Sequence, residues 1–209
     1  MRDASSTPIP EEPAFYVDIV QHCYKLTGIL HSTMTRDTGW HFANVGQSLE
    51  RADKISRIPD VKYFTLLRDV SDVNTTFDDL LWSAVLRSAC GFEMFRKRHR
   101  AITVPRIVNF LILNDRVPRA IRHSVQQARD SLAQIDGPTA DVDNVALIKA
   151  DQLVATLSTT DAETIINGGM HEFIDSLQQS LNEIGAAIND TYFALRLFSV
   201  QKQYQHQQS

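Results

Sequence analysis

Glu50, Asp53 and Arg57 fall on one side of a helical pattern running through Arg36 to Leu67, with Gly46 one turn ahead of them on that side. A carboxylate so placed can accept a proton, hold a cation or pair across a seam between helices. The glycine lets a neighbouring helix come close. The competing account is surface ion pairing, because Glu50 with Lys54 and Asp53 with Arg57 are i,i+4 pairs worth only about 0.2–0.5 kcal/mol each. If any residue here is catalytic it is Glu50, acting as general base or electrostatic group. That role requires a pocket that brings the carboxylate within about 2.6–3.2 Å of a transferable proton.

Other chemistries find less support. Helix-borne di-metal centres use Glu-x-x-His on two helices, and this chain has no such spacing. Glu50, Glu93, His171 and Glu172 make at most a weak carboxylate and imidazole set, so neither a metal nor a cofactor is expected. Gly168-Gly169 lacks the spaced glycines and Lys-Ser/Thr ending of a phosphate-cradling loop and reads as a sharp turn. Cys90, followed by Gly91, has no histidine that spacing would make its base. Cys23 and Cys90 are read instead as buried free thiols in a reducing compartment. No apolar run reaches the roughly 18–20 residues needed to span a bilayer, and the opening MRDASSTPIPEEP does not resemble a secretory signal. A cytoplasmic location with no membrane partner follows as the expectation.

The formal charge of −4 is unevenly distributed: residues 1–86 carry −4, residues 87–129 carry +8, and residues 130–209 carry −8. A basic middle can meet an acidic partner or be matched within the chain. Arg96, Lys97, Arg98 and Arg100, with Arg116, Arg119 and Arg122, could neutralise phosphates, but no nucleic-acid-binding motif accompanies them. Nucleic-acid binding is therefore disfavoured.

The elements that must position these residues are helical. Scarce glycine and proline, at 8 and 7 in 209 residues, and long runs of helix formers favour helix over sheet. After a leader over residues 1–13, a first helix is expected from Ala14 to His31, with Asp37 or Thr38 capping the next. Pro59 should kink or restart that second helix before Val61–Leu67. A third helix spans Phe77–Arg98, a short one Pro105–Leu113, and a longer one begins near Pro118 and stops at Asp136-Gly137-Pro138. Val142–Leu157 follows, and Thr160 to Glu163 has capping-box spacing for a short turn of helix that Gly168-Gly169 breaks. A final helix extends from Met170 to about Val200, before a frayed tail over residues 201–209. The expected fold is an all-α bundle of about six to seven helices forming one domain over residues 14–200, with Arg36–Leu67 and Met170–Val200 sharing a core.

Gly39-Trp40-His41-Phe42, Leu49-Glu50-Arg51-Ala52-Asp53 and Asp60-Val61-Lys62-Tyr63-Phe64 resemble the hallmark region of the bacterial alpha-E family. Leu86-Arg87-Ser88-Ala89, Phe92-Glu93 and the block Thr103 to Leu111 are similar to the segments that follow it. Gly168 to Phe173 and Tyr192-Phe193 resemble its closing helix. The resemblance puts Glu50 at the namesake glutamate and makes Arg51, Asp53, Asp60, Lys62, Arg87, Glu93 and Arg106 candidate polar partners. Arg96 joins them as a cation that could reach Glu50. An upstream block usual in the family is lacking, so the chain looks like a C-terminal part or a shortened member. Gln47-Ser48 and Pro59 also depart from the family pattern.

Family members resemble companions of ATP-grasp peptide-ligase-like and transglutaminase-like proteins. The resemblance therefore implies a helical accessory or interaction module whose partner is an ATP-grasp ligase-like protein or an identical chain. The alternatives are a noncanonical enzyme in peptide or amide synthesis that uses Glu50, with Arg87 or Arg106 orienting an anionic substrate, and a purely structural helical protein.

Overall fold

The computed structural model describes residues 13–66, 76–137 and 144–194. The expected leader up to residue 12, the connection at 67–75, residues 138–143 and everything after 194 lie outside them. Among the described residues the fold is all-α, but it holds nine α-helices rather than six to seven: α1 Pro13–Thr33, α2 Thr38–Leu66, α3 Thr76–Ser88, α4 Phe92–Arg98, α5 Val104–Val108, α6 Ile121–Asp136, α7 Val145–Thr159, α8 Ala162–Gly168 and α9 Met170–Ile188. Five-residue π-helical segments, Asn109–Leu113 and Asn189–Phe193, follow α5 and α9.

The larger count has local causes. The helix expected over Phe77–Arg98 is split at Cys90, whose φ of 53° lies in the left-handed region. Cys90 N donates to Arg87 O at 2.9 Å and Gly91 N to Leu86 O at 2.8 Å, a paired C-terminal cap usually built on glycine. Gly91 then has no room for a side chain, because a Cβ there would meet the Phe110 ring at 2.9 Å. Further along, Asp161 rather than Thr160 caps α8, accepting from Thr164 N at 2.7 Å. Gly169, at φ 98°, separates α8 from α9.

Pro59 does not restart the helix. α2 is a single helix through it, and its side chain is buried with those of Ala52, Ile55 and Ser56. Tertiary burial of that stripe offsets the lost N–H. The two cysteines correct a further expectation, since both are exposed.

The chain divides into two compact units, Met1–Trp40 and His41–Ser209. In the first, α1 leads into a turn where Arg36 donates to His31 O at 2.9 Å and stacks 4.1 Å over the Trp40 ring. Asp37 Oδ1 accepts from Trp40 N at 3.2 Å, the expected cap at the start of α2.

The second unit is organised by four long helices, and side-chain hydrogen bonds fix their directions. Asn44 of α2 donates to Ser131 of α6 at 2.8 Å; Gln178 of α9 donates to Ser56 of α2 at 3.1 Å, and His171 meets Asp60 at 2.9 Å. Arg129 of α6 pairs with Asp151 of α7 at 2.6 Å, and Lys149 of α7 with Glu183 of α9 at 2.8 Å. On α2 and α9 the partner numbers rise on one helix and fall on the other, so those helices run antiparallel; at α6 and α7, Arg129 with Asp151 and Asp136 with Asn144 follow the same opposed order. Val45, Ala52 and Ile55 of α2 share one core with Val125 and Leu132 of α6, Leu153 and Leu157 of α7, and Ile174, Leu177, Leu181 and Ile184 of α9. The expectation that the second and last helices build one core thus holds. α5, its π-helical extension and α8 pack near the bundle end where α6 and α9 begin, contributing Ile107, Phe110, Leu111 and Ile165.

Candidate functional site

The face of α2 opposite its buried stripe carries the charged residues. Glu50 is 66% exposed in its side chain and pairs with Lys54 at 3.3 Å. Asp53 accepts twice from Arg57, from Nε at 3.0 Å and from a terminal nitrogen at 2.8 Å. These bonds, above all, hold the Asp53 carboxyl below its usual range. Gly46 begins this face, and a Cβ placed on it would meet no heavy atom within 4 Å.

Arg51 follows Glu50 by one residue and, at about 100° per residue, points to another side. It is half-buried, and its guanidinium is lowered from its ordinary value, first by burial and then by the like charge of Arg119. Arg119 lies in the turn before α6, and Arg122 in the first turn of α6 reaches back to donate to Leu113 O at 3.3 Å. The Nε of Arg122 is buried and has no hydrogen-bond partner. Among the described residues, Arg51, Arg119 and Arg122 form no ion pair with a carboxylate.

Toward the far end of α2, Asp60 Oδ1 lies 2.9 Å from His171 Nδ1, and Asp175 Oδ2 lies 3.3 Å from its other nitrogen. The bond to Asp60 chiefly raises the His171 pKa, with Asp175 and Glu172 adding to it. The Lys62 side chain lies outside the described residues.

The remaining candidates sit elsewhere. Arg87 is exposed, with its guanidinium 4.1 Å from the Phe92 ring centroid, and Arg96 lies 5.9 Å from the same ring. Arg106 is exposed and donates to Ala101 O at 3.2 Å, while exposed Glu93 stands in the first turn of α4. Among the described residues no ion pair joins Glu50 to Arg87, Arg96 or Arg106. No group of three histidine, cysteine or acidic side chains there is arranged to hold a metal. A groove of about 250 Å³ between α7 and α9, fenced by Lys149 and Glu183, includes none of the candidates.

One polar node escaped the sequence reading. Asn144 caps α7 by accepting from Leu147 N at 3.0 Å, and its amide donates to Asp136 at the end of α6 and to Tyr192 Oη at 2.6 Å. Tyr192 Oη donates to Asp136 Oδ1 at 2.8 Å. Burial and this carboxylate push the phenol up to about 12. The cap was readable from an asparagine preceding a helical run; the meeting of residues 48 positions apart was not.

Residues 1–193 match a family described as a predicted alpha-helical domain with a conserved ER motif, Alpha-E. The single Glu-Arg dipeptide in the sequence is Glu50-Arg51. The chain belongs to the Alpha-E family. No curated protein and no solved structure matches it at a significant level. In this Alpha-E domain the two halves of the motif face different surroundings, Glu50 exposed to solvent and Arg51 half-buried, its pKa lowered by burial and by the like charge of Arg119. No helix among the described residues is long and apolar enough to cross a membrane.

Proposed function

We propose that this Alpha-E domain is a helical accessory module that docks through the outer face of α2 onto an ATP-grasp peptide-ligase-like protein. The observation that carries the reading is Gly46, whose missing side chain leaves open space one turn before the exposed Glu50. A glycine inside a helix costs about 1 kcal/mol relative to alanine, and no packing among the described residues accounts for it here. A partner backbone approaching at Gly46 would meet Glu50, Lys54 and Arg57 in turn, charges of both signs that can set register and select a partner. The class of partner rests on the family's resemblance to companions of ATP-grasp proteins. The reading sets the domain in the cytoplasm, a reducing compartment in which Cys23 and Cys90 stay unpaired.

The test is co-purification, then titration, of the full chain with a purified ATP-grasp peptide-ligase-like protein. Gly46→Leu and Glu50→Ala should each weaken association at least tenfold while helicity and unfolding midpoint are retained. Association unaffected by both variants would reject the docking face. Turnover of a small molecule by the isolated chain, abolished by Glu50→Ala, would replace this reading with an enzymatic one.

A further inference from the structure

Helix α1 carries apolar surface that no described residue covers. Of its side chains from residue 14 to residue 33, Thr27 and Leu30 are half-buried and all the others are exposed. Apolar residues nevertheless occupy more than half of its circumference, and a helix of that composition is normally buried. Phe15, Ile19, Leu26 and Ile29 are 37–60% exposed. At about 100° per residue these four fall within an arc of about 80°. Their spacing is that of a heptad seam, with His22 in the remaining place at its middle. His22 turns its Nδ1 toward the polar edge, where it donates to Asp18 O at 2.8 Å.

The charges beside this stripe indicate what packs on it. Asp18 and Lys25 are the only Asp, Glu, Lys or Arg side chains of α1. Seven residues apart, they stand on the same flank of the stripe and about 10 Å from each other along the axis, too far to pair. Asp18 has only an exposed contact with His22 at 3.4 Å, and Lys25 has no carboxylate partner among the described residues. When two copies of one helix pack antiparallel, a two-fold axis brings the same flank of both together, and residue numbers rise on one as they fall on the other. An axis level with Val20 and Gln21 sets Phe15 against Leu26 of the second copy and Ile19 against its His22. Asp18 then lies beside Lys25 of the second copy, and symmetry repeats the pair. A parallel arrangement sends the two flanks to opposite sides of the seam, where neither charge meets its opposite.

From this pattern we infer that α1 is a self-association helix: its stripe from Phe15 to Ile29 docks antiparallel on the same stripe of a second copy of this chain, with Asp18 and Lys25 paired twice across the two-fold axis. The occupant is a second copy because one flank carries both signs at heptad spacing, which makes the stripe complementary to itself. The seam covers about four turns, roughly 21 Å, less than a permanent dimer buries, so the association is reversible. It lies on α1 and does not involve the outer face of α2, so this inference and the docking reading can fail separately.

The experiment is sedimentation equilibrium of the full chain over a wide range of concentration, under reducing conditions so that the exposed Cys23 cannot link two copies. A reversible equilibrium between monomer and dimer is expected. Leu26→Ala should weaken it about tenfold or more, since the two-fold axis removes the side chain from the seam twice. Tyr24→Ala, equally exposed but on the far side of α1, should leave it unchanged. Asp18→Lys and Lys25→Asp should each weaken it about fivefold by setting like charges side by side. The double exchange restores opposite signs and should recover the wild-type equilibrium, which a folding defect would not do. A chain that stays monomeric at every concentration, equal losses from Tyr24→Ala and Leu26→Ala, or a double exchange as weak as the single ones would overturn the inference.

Discussion

Glu50 and Arg51 are consecutive in the chain and occupy opposite electrostatic settings: Glu50 stands in solvent 3.3 Å from Lys54, and Arg51 is half-buried, its pKa lowered by burial and by the like charge of Arg119. A helix turns about 100° per residue, so one dipeptide can serve two surfaces. The ER motif is thus a pair of separate contacts rather than an internal ion pair.

Glu50→Ala should change stability by no more than about 0.5 kcal/mol, the usual worth of an exposed i,i+4 pair. Equilibrium urea unfolding checks this. A loss of several kcal/mol would mean that Glu50 has a buried partner, the outcome expected had it met Arg87, Arg96 or Arg106 between helices.

Cys90→Gly should stabilise the domain by about 1 kcal/mol. The residue occupies the left-handed position of a helix C-terminal cap at φ 53°, where a Cβ costs energy and glycine does not. The thiol is exposed, so little burial is lost. Thermal unfolding of the two proteins under reducing conditions measures the difference; an unchanged or lower midpoint would count against the strain.

The helices were legible where punctuation and periodicity agreed. Asp136-Gly137 marked the end of α6, and Gly169 the start of α9. Ala120, Ile121, Val125, Ala128 and Leu132 are buried as their spacing requires. The break at Cys90 was not legible, because the residue in the left-handed conformation is a cysteine and the glycine comes one position later. Pro59 did not restart α2, which runs through it with the proline in the buried stripe. Among the site residues, motif spacing found Asp53 with Arg57 and left Glu50 facing out. It could not bring Asp60 to His171, because that meeting depends on how α2 packs against α9.

Asn144→Ala should cost about 1–3 kcal/mol, since it removes a helix cap together with donors to Asp136 and to Tyr192 Oη. Asn144→Asp separates the two contributions. The aspartate still caps α7 but brings a second carboxylate against Asp136, so at neutral pH it should be at least as destabilising as alanine. Near-wild-type stability of Asn144→Asp, measured by urea unfolding, would reduce the node to an ordinary cap.

The His171 contact predicts the sign of a pH dependence. Asp60 from α2 and Asp175 and Glu172 from α9 face the imidazole and raise its pKa, so the folded state favours the protonated ring more than the unfolded chain does. Stabilisation from the pair is then fully present below the unfolded value of about 6.5 and is lost as pH rises through the raised folded value. Wild type should exceed His171→Gln in unfolding midpoint by most at about pH 5.5–6, and the gap should narrow steadily above pH 6.5. Urea midpoints for both proteins across that range, with Asp60→Asn as a second variant, provide the check. Asp60→Asn should flatten the wild-type dependence by removing the chief cause of the shift. A gap that widened with rising pH would show that the ring is buried neutral instead, because a depressed imidazole pKa reverses the sign.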